Sequence, residues 1–133
     1  MMVKESFFAI LACTVWVSVS EFFRNELLLK SYWIEHFETH GRRFPDSPLN
    51  GAIWALWSLL YSVFLFCLTR NTPFLRSTVL GWMAGFVLMW VVAGNLGVLP
   101  FTILPYAIPL SYVEVLGAVL ILLRISPRIL TNQ

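Results

Sequence analysis

The stretch NGAIWALWSLLYSVFLFCLT, residues 50–69, carries no charged side chain from end to end. An α-helix rising about 1.5 Å per residue needs roughly 20 apolar residues to cross the hydrocarbon core of a bilayer, and this stretch is long enough. Backbone N–H and C=O groups in hydrocarbon must be satisfied inside the segment itself, which a helix achieves and a lone strand does not. The stretch therefore reads as a transmembrane helix.

Working outward, residues 77–96 and 103–123 pass the same ruler. They are bounded by Arg70, Asn71, Thr72, Pro73 and Arg76, by Pro100, and by Arg124. The first apolar run is uncharged only from Ser6 to Ser20, but Phe22, Phe23 and Leu27 to Leu29 continue it past Glu21. Charged side chains near a helix end can snorkel to the headgroups. A long first helix over residues 6–29 follows, with Glu21 and Arg24 near its outer end. Lys4 ahead of this run suggests a signal peptide, yet Glu21, Phe22, Phe23 and Arg24 follow where a small-residue cleavage site would stand, so the segment is read as retained.

The composition agrees: 59% of the residues are hydrophobic and 12% charged, where a soluble domain carries about a quarter charged residues. The expected fold is an all-α integral membrane protein, one domain of four transmembrane helices with a short interfacial segment over residues 30–48. A formal charge of +2, with basic residues scattered singly or in pairs, argues against nucleic acid. Cys13 and Cys67 stand alone in apolar runs and indicate neither a metal site nor a disulfide framework. No cofactor fingerprint is present.

The interfacial segment carries Tyr32, Trp33, Ile34, Phe37 and Phe44, and Trp and Tyr favour the headgroup level. Trp33, Phe37 and His40 recur at helical spacing, which is compatible with a short amphipathic helix on the membrane; aromatic anchoring alone is the plainer reading. His36 and His40 are spaced like metal ligands on a helix beside Glu35 and Glu38, but no third ligand follows and a solvated surface is the plainer reading. Lys4, Arg70, Arg76, Arg124 and Arg128 fall on the terminal side, against Lys30, Arg42 and Arg43 opposite. The positive-inside rule then puts both termini in the cytoplasm, in a bacterial inner membrane.

Two helix faces suggest packing. Ser77, Gly81, Gly85, Ala93 and Gly97 share an i, i+4 register interrupted only at Met89, so the third helix is expected to pack closely within the chain or in a homo-oligomer. In the second helix, Trp54, Trp57, Tyr61 and Phe64 form an aromatic stripe, with Gly51, Ala55, Ser58 and Ser62 toward another face. The stripe serves packing or lines an apolar pocket.

Glu114, between Val113 and Val115, is the sharpest single residue. An acid at the centre of a membrane helix costs about 2.5–3.5 kcal/mol on insertion scales, so it is expected to face the interior and find a partner or keep its proton. Glu21, Arg24 and Asn25 share a helical face at i, i+3 and i+4, and with Asn95 they complete a candidate intramembrane polar site. An interfacial salt bridge at the helix end is the plainer account of that face. Pro100, Pro105 and Pro109 suggest either a broken helix lining a cavity or an interfacial loop over residues 95–108 with Pro109 opening the last helix.

The leading functional expectation is a non-enzymatic oligomeric or accessory membrane component. The alternatives are a proton-coupled transporter or permeation pathway using Glu114, Glu21, Arg24 and Asn95, and a membrane enzyme with an outward-facing site at His36 and His40. The number of spans resembles that of the small multidrug-resistance exporters, whose carboxylate lies in helix one. Here Glu21 comes late in its helix and the central acid is Glu114, so no residue role or substrate carries over.

Overall fold

The computed structural model describes residues 2–127, and Arg128, counted above with the terminal cations, lies outside them. Among these residues there are five helices and no strand. Helix α1 runs Met2–Phe22 and continues through a π-helical turn, Phe23–Leu28. The short α2 is Lys30–Thr39, and α3 is Pro48–Asn71. Helix α4 spans Phe74–Asn95 around a second π turn, Met83–Val87, and α5 spans Phe101–Ile125, opening with one 3₁₀ turn. Four of these, α1, α3, α4 and α5, are long and apolar enough to cross a membrane.

Local chemistry sets the helix limits. Pro48 begins α3 in the first turn, where its missing N–H is not needed. Pro73 precedes α4, which starts before Arg76 because a charged side chain at a helix end does not interrupt the backbone ladder. Pro105 sits in the first α-helical turn of α5, just after the 3₁₀ turn, but Pro109 lies inside the helix. The expected loop over residues 95–108 therefore shrinks to the short connection between Asn95 and Phe101, and no break occurs at Pro109.

The four long helices form a bundle in which α1 packs against α3 and α5, while α4 packs against α5 and α3. The core joins Ala9, Cys13 and Val17 of α1 to Leu65 of α3, Phe86 of α4, and Val115, Ala118, Val119 and Leu122 of α5. Trp16 lies on Gly117, where an added Cβ would stand 2.7 Å from the indole, and its Nε1 donates to the Glu114 carbonyl at 2.8 Å. Helix α2 docks through Tyr32 and Trp33, with Leu29 just before it, on a second cluster containing Leu99, Ile103 and Ala107. His36 Nε2 lies 2.9 Å from the Gly97 carbonyl, fastening α2 to the α4–α5 connection.

The third-helix register divides among three tasks. Ser77 is buried and bonds the turn before α4, its hydroxyl 2.7 Å from that of Thr72. Gly81 and Gly85 make the close approach, because Tyr61 of α3 lies along them and donates its hydroxyl to the Gly81 carbonyl at 2.8 Å. The π turn then inserts an extra residue, so that Phe86 enters the core while Met89 is exposed and Ala93 reaches the smaller cluster. Gly97 is no packing residue. Its φ of +69° and the bonds Gly97 N to Gly94 O and Val98 N to Ala93 O form a Schellman motif that ends α4.

An added Cβ at Gly85 would meet the Tyr61 ring at 2.6 Å, whereas one at Gly51 meets nothing within 4 Å. Gly85→Leu is expected to destabilise the bundle by about 1–3 kcal/mol through overpacking. Gly51→Ala should leave the thermal midpoint in detergent unchanged or raised, and equal effects of the two substitutions would contradict this packing.

Candidate functional site

Helices α1 and α5 run in opposite directions, and side chains on a helix lean toward its N-terminus. Arg24, late in α1, and Glu114, halfway along α5, therefore lean toward each other. Arg24 Nη1 donates to Glu114 Oε2 at 2.5 Å, and Nη2 donates to Glu21 Oε1 one turn away on the same helix. Glu21 Oε2 accepts from Asn25 Nδ2 at 2.8 Å, and Asn25 Oδ1 accepts from Trp33 Nε1 of α2 at 3.2 Å. One hydrogen-bonded network thus runs from α2 through α1 to α5.

The charged members are enclosed: Glu114 is 2% exposed, Arg24 5% and Glu21 6%. Arg24 belongs to the π turn of α1, closed by the bond from Leu29 N to Arg24 O at 2.9 Å. The Phe86 ring, in the π turn of α4, stands 5.0 Å from the guanidinium carbon, a cation–π contact that covers the cation with an apolar wall. Two carboxyl groups share this guanidinium, and Glu114 Oε1 is buried without a hydrogen-bond partner. With both acids ionised the trio carries one excess negative charge, which one proton or one bound cation would neutralise.

Of the residues expected to form a polar site, Glu114, Glu21, Arg24 and Asn25 come together. Asn95 does not join them; it is exposed at the end of α4. Phe86, Trp33 and Trp16 were not anticipated. The sequence marks Trp33 as part of an interfacial segment, by helical spacing or aromatic anchoring, and Phe86 carries no sequence signal, since its inward direction depends on the π turn.

A cleft of about 350 Å³ opens beside this network, between the end of α1 and the start of α3. Ser18, Glu21, Phe22 and Asn25 line one wall and Gly51, Trp54, Ala55 and Ser58 the other, with Glu26, Lys30, Asp46 and Asn50 around them. The space exists because the α3 wall uses small residues. The aromatic stripe, suggested as a pocket lining, supplies only Trp54; Trp57 and Tyr61 instead stack at 4.8 Å and pack edge-on to Phe86.

The histidines have structural contacts. Besides the His36 bond to Gly97, His40 Nδ1 lies 2.8 Å from the His36 carbonyl. Among the described residues no group of three or more His, Cys, Asp or Glu side chains is arranged to hold a metal.

Comparison with known proteins gives no family model, no curated protein and no solved structure that matches this chain.

Removing one partner of a buried ion pair leaves an uncompensated charge and costs about 3–5 kcal/mol. Arg24→Met is expected to destabilise the protein by that order. The triple variant Glu21→Gln, Arg24→Met, Glu114→Gln should recover most of the loss in thermal unfolding. An Arg24→Met protein as stable as the parent would contradict the buried pairing.

Proposed function

We propose that the chain is an integral membrane protein of the bacterial inner membrane, acting as a non-enzymatic binding or accessory component. The observation that carries this reading is the enclosed Glu21–Arg24–Glu114 network: both acids are paired with the one guanidinium, and the network joins α1 to α5 inside the bundle. The exposed apolar side chains of α1, α3 and α4 suit lipid contact. The space at Gly81 is taken by Leu65 and Val115 and that at Gly85 by Tyr61, all of the same chain, which weakens the case for self-association through that face.

Cytoplasmic termini follow from Lys4, Arg70, Arg76 and Arg124 lying at one end of the bundle. Arg70 there donates to the Pro127 carbonyl at 3.2 Å, bringing the ends of α3 and α5 together. On this orientation the cleft and α2 face the periplasm. A cysteine placed at Gly41 should react with a membrane-impermeant maleimide in intact spheroplast-free cells whose outer membrane is permeabilised, and one at Asn71 only after the inner membrane is opened. The reverse pattern would overturn the orientation, and reaction of both would overturn insertion.

A second reading, a proton-coupled permeation pathway, is favoured by one observation: Glu21 and Asn25 touch both the cleft and the network that ends on the unpartnered Glu114 Oε1. In proteoliposomes with an internal pH dye, that reading requires proton flux that Glu114→Gln abolishes. The accessory reading expects no flux from either protein.

A further inference from the structure

The cleft between α1 and α3 has a chemistry of its own. Its walls divide by polarity: Phe22, Trp54 and Ala55 are apolar, while Glu21, Asn25, Glu26, Lys30, Asp46 and Asn50 are polar. A volume of about 350 Å³ is at the small end of ligand pockets, which are typically about 300–1,000 Å³. It accommodates a small head and part of one chain.

The charges around it do not balance. Lys30 is taken by Glu26, at 2.7 Å. Glu21 shares Arg24 with Glu114 and has no other cationic partner among the described residues. Asp46 lines the cleft with no ion pair among the described residues; Arg42 and Arg43 border a neighbouring hollow that Asp46 also lines, but not the cleft itself. Three acids and one base therefore border the space directly, and the base is already paired. Arg24 behind the wall is divided between two acids.

We propose that this cleft binds an amphiphile carrying an ammonium group, its head between Glu21 and Asp46 and its chain along Phe22, Trp54 and Ala55. A cation there would supply the positive charge that the cleft's own lining lacks, and Trp54 brings an aromatic ring to that lining. The inference rests on the reading of the chain as a non-enzymatic membrane binding component, but not on its orientation. A reversed cysteine-labelling pattern would leave it standing, whereas labelling of both positions would remove the membrane reading on which it rests.

Gly51 provides the means of testing it. Gly51 lines the cleft and an added Cβ there meets nothing within 4 Å, so Gly51→Leu adds bulk at the cleft wall from an unobstructed position and favours the helix. The purified full chain in a non-ionic detergent would be titrated with n-octylammonium, followed by isothermal calorimetry, with octanol and octanoate as neutral and anionic probes of equal chain length. Octylammonium is expected to bind, octanol and octanoate at least tenfold more weakly. Gly51→Leu and Asp46→Asn should each weaken octylammonium binding by tenfold or more while leaving the ligand-free thermal midpoint within a few degrees.

Undetectable octylammonium binding, equal binding of octanoate, or affinity untouched by Gly51→Leu would overturn the proposal. If Gly51→Leu proves unstable, competition provides the check: octylammonium must protect a cysteine placed at Ala55 from maleimide, and unprotected labelling overturns the proposal. Mixed micelles then separate two sources of the same chemistry. Loss of octylammonium affinity on adding phosphatidylethanolamine assigns the site to a lipid headgroup amine, and unchanged affinity assigns it to a free amphiphile.

Discussion

A guanidinium held between two carboxylates inside a helical bundle imposes more order than its own energy suggests. Burying charge is costly, and the attraction between the partners offsets that cost only when the geometry is good. Arg24, Glu21 and Glu114 meet the condition through two antiparallel helices whose side chains lean toward one another. The relative height of α1 and α5 is consequently fixed by chemistry that apolar packing alone would leave loose, since one apolar contact is much like the next. Trp16 reinforces the alignment by lying on Gly117 and bonding the Glu114 carbonyl.

The two π turns belong to the same arrangement. One carries Arg24 and the other Phe86, and the two side chains meet. A π turn holds one residue more than an α turn, so it changes which residues face inward beyond it. In α4 the small-residue face that accepts Tyr61 gives way to the large Phe86 ring. The bundle thereby obtains a close backbone approach at Gly81 and Gly85 and an aromatic cover over Arg24 from a single helix.

Much of this was legible in the sequence, unevenly. Uninterrupted apolar runs marked the four long helices, because length and hydropathy are properties of the segment alone. Glu21, Arg24 and Asn25 could be grouped from helical spacing, and Glu114 stood out by its apolar neighbours. Their meeting could not be read, since it depends on how far α1 slides along α5. Asn95 was grouped with them by its position near a helix end, where it is exposed. Gly97 fitted a packing register but serves a left-handed turn, a choice that depends on where α4 stops. Phe86 depended on a π turn, for which no residue pattern gave notice. The cleft was sought on the aromatic stripe and lies mainly on the smaller residues beside it, where Gly51 leaves space.

Little of each long helix is covered by the rest of the chain: the most apolar window of α5 is 39% buried, and those of α1 and α3 are 22% buried. Most positions therefore need only be apolar, and substitutions among Leu, Ile, Val and Phe there would alter few contacts. Identity is demanded at a small set: the three charges of the network, and Gly81, Gly85 and Gly117, where neighbours leave no room for a side chain. The historical consequence is that descendants of one ancestor could drift apart over most of their length and still fold alike. Kinship in such a protein would persist as a few fixed points in a background of interchangeable apolar residues.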